Sequence, residues 1–428
     1  MNKSAAFCTL GCKVNQYETE AMCELFKAAG YHIADFEDFA DVYVINTCTV
    51  TAMSDRKSRQ MIRRAKRINP DAFVVVCGCY AQTAPDTVAK IDGVDLVLGT
   101  QERAQIVELA EKKSGGCYVR DISKTHSFEQ LTVGGYARRS RAYIKIQEGC
   151  NQFCSYCIIP YARGPIRSRP AEEILSESRA LIAAGFTEII YVGIHVASYG
   201  LDTKEASLAE LLVMLNGIEG LRRIRLSSIE PMTLDYSFCE QIKTCDKLCP
   251  HFHLSLQSGC DETLLRMNRR YTTAQYSEVV EGLRRYFPDC AVTTDIMVGF
   301  PGETDAEFAK TLDFVRKIGF ADAHIFKYSR RKGTPADTMP NQVAPEVKDI
   351  RSKQLISLCE KSRDEYLDRH LNMPLEVLFE DENGGYFEGK TANYITVFVK
   401  SAAPLAGRYR TVIAYERKDG ALYAELAD

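Results

Sequence analysis

Short apolar runs alternate with amphipathic stretches along most of the chain. "AAFC" (5–8), "DVYVIN" (41–46), "AFVVVC" (72–77) and "VDLVLG" (94–99) are apolar segments of strand length. Between them "ETEAMCELFKAAG" (18–30), "DRKSRQMIRRAKRI" (55–68) and "TVAKI" (87–91) read as helices. This alternation predicts a parallel sheet with crossover helices over residues 1–112. Residues 113–137 show no sustained period and are punctuated by glycine pairs, which predicts a linker. A second series fills residues 138–366, with strands at 142–147, 188–193, 222–228, 251–256, 291–299 and 321–328. Helices are expected between them at about 171–184, 207–216, 233–244, 273–286 and 304–317, two of them opened by the capping boxes Ser207…Glu210 and Thr304…Glu307. Six βα units predict a barrel or partial barrel with its chemistry at the C-terminal ends of the strands. An amphipathic helix (349–371) leads out of it. In residues 367–428 the pattern changes to five short strands, one of which places Ile395, Val397 and Val399 on one face. A small five-stranded barrel of the oligonucleotide-binding kind is expected there.

Composition narrows the class only a little. The 428 residues suffice for about three domains. A net charge of −3 argues neither for nor against a nucleic-acid partner, so any basic surface must be local. "MNKSAAFCTLGC" lacks the apolar core of a signal peptide, and no run of about 18 apolar residues occurs, so a cytoplasmic protein that does not span a membrane is expected. Sixteen cysteines in a reducing compartment then suggest buried thiols and metal ligands rather than disulfides.

The densest chemistry is "EGCNQFCSYCIIPYARG" (148–164), where Cys150, Cys154 and Cys157 follow the first strand of the six-unit series. Structural zinc wants four protein ligands. His251 and His253 share a strand face and could supply one, but no spacing points to them. Closely spaced thiolates on one loop suit an iron–sulfur cluster better. Three of them on a four-iron cluster leave one iron open.

The Cys-x3-Cys-x2-Cys spacing, with Tyr156 before the third cysteine, resembles the radical S-adenosylmethionine superfamily. The resemblance implies that the open iron chelates the amino-acid part of S-adenosylmethionine and that the reduced cluster cleaves it to a 5′-deoxyadenosyl radical. It also implies a cofactor site built from Tyr156, Gly193, Ser228, Glu230, Gln257 and Arg266. His195 is read as a loop residue, and "GFPGET" (299–304), which lacks a following lysine, as a turn and helix cap rather than a phosphate loop.

Three further cysteines stand out by position: Cys12, Cys48 and Cys79 each lie just past an N-terminal strand. Loops after the strands of an open parallel sheet share one edge, so the three can converge. Cys8 and Cys77 are read as core, although Cys8 with Cys12 and Cys77 with Cys79 are also close pairs, and spacing alone leaves the choice open. "LGCKVNQYE", "INTCTVT" and "CGCYAQ" resemble the N-terminal domain of the methylthiotransferases, and "HLSLQSGCDETLLRMNRRYT", "TTDIMVGFPGET" and "IFKYSRRKGTPA" resemble its radical domain. The last five strands are similar to its substrate-holding TRAM domain. The resemblance implies that Cys12, Cys48 and Cys79 hold an auxiliary 4Fe-4S cluster that supplies sulfur. It assigns no catalytic residue beyond the cluster ligands.

The family's branches act on isopentenyladenosine in tRNA, on threonylcarbamoyladenosine in tRNA, or on an aspartate of a ribosomal protein. "GIHVASYG" and "RLSSIEP" look most like the threonylcarbamoyladenosine branch, which implies thiomethylation at carbon 2 of the adenosine next to the anticodon. A tRNA substrate and an electron donor such as a flavodoxin or ferredoxin are the implied partners. A non-catalytic iron–sulfur or zinc RNA-binding protein is the reading from a different class. Basic stretches at 55–68, "RRSR" (138–141), "RGPIRSR" (163–169) and "KYSRRK" (327–332) are candidate phosphate-binding faces, with Met61, Ala65 and Ile68 expected to bury one side of the first. Residues 368–428, with seven Lys or Arg against ten Asp or Glu, cut against an RNA-gripping end module and leave a basic protein substrate open.

Overall fold

Runs of apolar residues with no polar alternation demand cover on both faces, and the N-terminal sheet meets that demand. A computed structural model, describing residues 3–131 and 140–427, shows six parallel strands there. They are β1 (Ser4–Thr9), β2 (His32–Ala34), β3 (Val42–Thr47), β4 (Phe73–Gly78), β5 (Leu96–Leu98) and β6 (Gly116–Tyr118), in the order β2-β1-β3-β4-β5-β6. Every residue of β3 and β4 is buried. Val42 and Val44 pack with Met22 and Phe26 on one face, whereas Tyr43 and Ile45 pack with Ile62 and Ala65 on the other. The helix read at 55–68 begins at Ala52, where the Thr51 side chain accepts from Ser54 N; its fully buried apolar residues are Ile62 and Ala65, with Met61 and Ile68 half-buried. The helix read from residue 18 begins at Lys13, directly after Cys12. β2 and β6 have no counterpart in the sequence reading. β6 lies inside the stretch read as a linker and pairs with β5; residues 132–137 of that stretch lie outside the described residues.

The six expected central strands are all present. β7 (Arg141–Glu148), β9 (Glu188–Gly193) and β10 (Arg223–Leu226) form a sheet with the short antiparallel β8 (Arg167–Ser168) in the order β10-β9-β7-β8. β11 (His251–His253), β12 (Ala291–Val298) and β13 (Asp322–Lys327) form a second sheet. Parallel bridges Ile224↔Leu248 and Ile229↔Leu254 join the two. Both expected capping boxes form, and Thr272…Gln275 makes a third. The Thr304 cap confirms "GFPGET" as a turn and cap, and buried Glu303 accepts from Gly299 N at 2.6 Å and from Arg351.

The helix Pro345–Asp368 leads into a closed barrel of β14 (Pro374–Asn383), β15 (Tyr386–Thr391), β16 (Thr396–Val399), β17 (Tyr409–Lys418) and β18 (Ala421–Leu426), in the order β14-β15-β16-β18-β17. Ile395, Val397 and Val399 are buried in its core as expected. The observed fold is thus a parallel α/β unit, a partial (βα)6 barrel and a small closed β-barrel.

The barrel's acidity has a structural use. Glu376 pairs with Arg222 and Arg223 at 2.8 and 3.0 Å, and Glu380 pairs with Arg141 at 2.6 Å. Arg225 donates to Ala392 O and Thr391 O. Part of its negative charge therefore binds the central unit rather than facing a partner.

Candidate functional site

The loop carrying Cys150, Cys154 and Cys157 leaves β7 through Gly149, whose φ is +76°. A Cβ there would stand 1.8 Å from Pro165 O, so only glycine fits. Cys150 N donates to Gly164 O at 3.0 Å, and Cys157 N to Cys154 O at 2.9 Å. The segment 266–268 pins the loop from outside: Ser155 N donates to Met267 O, Ser155 Oγ to Arg266 O, and Asn268 Nδ2 to Phe153 O. Burial pushes the Cys150 thiol up to about 11 and the Cys157 thiol up to about 12, each helped by neighbouring thiolate charge.

The three N-terminal cysteines lie on loops that follow adjacent parallel strands. Cys12 precedes the helix Lys13–Ala28, Cys48 follows β3, and Cys79 opens the helix Cys79–Thr83 after β4. Gly11 has φ +105°, and a Cβ on it would meet Cys48 Cβ at 2.8 Å and Sγ at 3.0 Å. The Cys12 loop thus lies directly on Cys48. Burial raises all three thiols; the Cys48 thiol feels Cys79, and the Cys79 thiol feels Cys12. Cys77 is buried beside Met22, and Cys8 is partly buried against the sheet core, which matches their reading as core.

All sixteen cysteines are free thiols. Each trio offers three sulfur donors, the ligand chemistry of an iron–sulfur cluster, and Gly11 leaves the space at Cys48 that a side chain would take. The donor chemistry suits such clusters, while among the described residues no three His, Cys, Asp or Glu side chains are gathered tightly enough to hold a single metal ion. His251 and His253, the alternative zinc donors, both bond Thr293 Oγ1 instead, and His253 also faces Asp295 at 3.3 Å.

Arg163 joins the two trios. It lies in the short helix Ile159–Arg163 just past Cys157, and its Nε donates to Cys79 Sγ at 3.3 Å. Its other nitrogens donate to Asn15, Glu18 and Glu148 at 2.5–3.0 Å. Lys145 binds Glu18 and Glu148 at 3.1 and 2.8 Å, and Arg103 binds Glu18 and Glu129. Burial opposes Glu18's charge, but Arg103, Arg163 and Lys145 outweigh it and hold its pKa at about 2.

This corrects one expectation. "RGPIRSR" is not a phosphate-binding face, because Arg163, Arg167 and Arg169 are buried, the last against Glu177. Of "KYSRRK", Lys327 pairs with Asp349, Arg330 with Asp337 and Arg331 with Asp55. Of "RRSR", residues 138–139 lie outside the described residues, and Arg141 is taken up by Glu380. In the helix 52–68, Arg56, Lys57, Arg63 and Arg67 remain exposed.

The residues implied for the cofactor divide. Gly193 ends β9 with no room for a side chain: a Cβ would lie 3.0 Å from Gln147 and from Val196. Glu230 accepts from Arg269 Nη2 at 2.8 Å and lies 3.8 Å from His195 Nε2. Burial works against its charge, but His195 and Arg269 outweigh it and lower its pKa. Ser228 is exposed, and Gln257 holds φ +64° beside β12. Tyr156 packs edge-on to Phe300. Arg266 turns away: both arms of its guanidinium hold Glu307, at 2.9 and 2.8 Å. Arg269, not read from the sequence, takes the inward position, with Nη1 donating to Cys154 Sγ at 3.4 Å. Each trio therefore has an arginine on one sulfur.

Known proteins are similar to this chain over most of its length. Residues 4–99 match the model described as "Uncharacterized protein family UPF0004", and residues 144–315 match the radical SAM superfamily. The chain is 45% identical to the threonylcarbamoyladenosine tRNA methylthiotransferase MtaB of Bacillus subtilis, over 95% of this chain and 92% of that one. It is 40% identical to the protein of the same name from Aquifex aeolicus, over 92% and 95%. It is 36% identical to a tRNA-2-methylthio-N(6)-dimethylallyladenosine synthase of Lachnoclostridium phytofermentans, over 96% and 92%. Among solved structures, the radical S-adenosylmethionine methyltransferase TsrM of Kitasatospora setae shares the fold, with TM-score 0.60 at 16% identity over 79% of this chain and 77% of that one.

Proposed function

The chain belongs to the methylthiotransferase family of radical S-adenosylmethionine enzymes, and from that premise we propose that it adds a methylthio group to carbon 2 of N6-threonylcarbamoyladenosine at position 37 of tRNA. The enzyme uses S-adenosylmethionine and two 4Fe-4S clusters. We assign Cys150, Cys154 and Cys157 to the radical cluster and Cys12, Cys48 and Cys79 to the auxiliary one. The observation that carries the assignment is Arg163, which follows the first trio in sequence and donates to Cys79 of the second.

When bound, the clusters and S-adenosylmethionine supply radical hydrogen abstraction from an unactivated C–H bond and the sulfur to replace it, chemistry that side chains lack. The chain's own residues position and shield. Gly149 and the 266–268 segment fix one loop, and Gly11 lets Cys12 and Cys48 approach. Arg163 and Arg269 each place a positive charge on a ligating sulfur, where it offsets thiolate charge. Gly193, Glu230, Gln257, Ser228 and Tyr156 border the cofactor, with Arg269 in the role first given to Arg266. Residues 1–112, 138–366 and 367–428 divide the labour between auxiliary cluster, radical chemistry and substrate grip. The flanking tRNA phosphates fall to exposed cations such as those of the helix 52–68. A low-potential flavodoxin or ferredoxin in the cytoplasm supplies electrons. No helix of the described residues is long and apolar enough to cross a membrane.

The threonylcarbamoyl substrate is favoured over the isopentenyl one by the 45% and 40% identities above against 36%. A basic protein substrate is disfavoured because Glu376 and Glu380 are spent on core arginines. Nucleoside mass spectrometry of tRNA from a strain lacking this protein and any paralogue tests the reading. Loss of 2-methylthio-threonylcarbamoyladenosine is expected; its persistence would refute the assignment.

A further inference from the structure

The residue after Cys12 is a lysine whose charge the structure leaves uncompensated. The first turn of the helix Lys13–Ala28 is lodged against the inner face of the partial barrel: Val14 is buried against Ile190 and Val192 of β9. Lys13 and Cys12 are both exposed beside it.

Lys13 lies over Tyr394, which the small β-barrel presents at φ +70°. Its ring stacks on His251 at 4.7 Å, with Arg225, Arg141, Lys390 and Lys13 at 4.6, 5.5, 5.6 and 5.8 Å from its centre. Lys390 pairs with Glu388 at 3.2 Å. The two arginines have carboxylate partners, Glu188 for Arg225 at 2.9 Å and Glu380 for Arg141 at 2.6 Å. Lys13 makes no ion pair or hydrogen bond among the described residues. On the adjoining strands His253 and Asp295 pair with each other. Among the described residues, Lys13 is thus the one cation over the Tyr394 ring without a carboxylate partner, and it stands next to a cysteine assigned to the auxiliary cluster. A cation with no carboxylate partner is free to take an anionic ligand in a charge-assisted hydrogen bond.

We propose that Lys13 is a specificity-determining residue that binds the free carboxylate of the threonylcarbamoyl group. The inference rests on the substrate reading above and adds to it the group that is recognised. An isopentenyl substituent is wholly apolar and would leave Lys13 uncompensated, which discriminates against it. The position beside Cys12 ties recognition of the substituent to placement of the adenine near the sulfur source.

Binding of three fluorescent anticodon stem-loop RNAs to the anaerobically reconstituted enzyme tests this. One carries threonylcarbamoyladenosine, one its neutral methyl ester, and one isopentenyladenosine. The wild type should bind the acid about tenfold or more tighter than the ester, the scale of a charge-assisted hydrogen bond. Lys13→Met should bind acid and ester alike, and Lys13→Arg should retain most of the preference, with cluster absorbance verifying that both variants are folded and loaded. If Lys13→Met keeps the wild-type ratio, or if the wild type favours acid and ester equally over isopentenyladenosine, the inference is overturned while the substrate reading stands. If the wild type does not distinguish threonylcarbamoyladenosine from isopentenyladenosine, the substrate reading itself falls.

Discussion

Replacing Glu18 by glutamine should destabilise the junction between the N-terminal sheet and the partial barrel more than almost any other single polar change. Glu18 is wholly buried, and Arg103, Lys145 and Arg163 all contact it. Its pKa, about 2 against an ordinary 4.5, corresponds to on the order of 3 kcal/mol at neutral pH. Breaking a buried pair by removing one partner costs about 3–5 kcal/mol, which agrees in scale. The assay is guanidinium unfolding at pH 7 of wild type, Glu18→Gln and Glu18→Gln/Lys145→Met. The double variant removes one of the cations left behind and should recover part of the loss, a coupling of about 0.5–3 kcal/mol. The pH dependence follows from the sign of the shift. A depressed carboxylate pKa adds stability above about pH 4.5, and that stability is lost as pH falls towards 2. Metal-free wild type should therefore lose more stability over that interval than metal-free Glu18→Gln. A Glu18→Gln protein within about 1 kcal/mol of wild type at pH 7 would refute the reasoning, because a buried charge network cannot lose its hub so cheaply.

Other outcomes follow from the same geometry. Gly11→Ala puts a methyl group 2.8 Å from Cys48 Cβ at φ +105°; about half the iron should be lost, all of it from the N-terminal trio, as read by electron paramagnetic resonance. Arg163→Met should shift the reduction potential of the auxiliary cluster downward, since it removes a positive charge 3.3 Å from Cys79 Sγ; protein-film voltammetry reads this, and an unchanged potential would contradict it. Arg223→Ala with Arg225→Ala removes the contacts to Glu376 O, Glu376 and the 391–392 carbonyls. Limited proteolysis should then release residues 374–426 faster, with the central unit intact.

The longer strands were legible because they depend on local signals, continuous apolar runs and capping boxes, whereas the choice of Cys12, Cys48 and Cys79 over Cys8 and Cys77 came from the family resemblance and not from spacing. What escaped was short or long-range. β2, β6 and β8 have two or three residues each, too few to show a period, and they form only because a neighbouring strand supplies the hydrogen bonds. The box Thr272…Gln275 was within reach of the same reasoning that found the other two. Charge was the weakest guide. Seen as a run, "RGPIRSR" suggests a surface, but the partners that bury it, Glu18, Glu148 and Glu177, come from other parts of the fold. Arg266 ends a helix and Arg269 lies three residues on, past the left-handed Asn268, and nothing local says that Glu307 takes the first while Cys154 and Glu230 take the second. The acidity of the last sixty residues pointed away from RNA only while Arg141, Arg222 and Arg223 were unseen.

The most direct test is iron and sulfide per chain in the reconstituted wild type, in Cys12/Cys48/Cys79→Ala and in Cys150/Cys154/Cys157→Ala. Two four-iron clusters predict about eight irons for the wild type and about four for each triple variant, with reductive cleavage of S-adenosylmethionine surviving only in the first variant. Stoichiometric zinc, or a triple variant that keeps the full wild-type iron, would contradict the account.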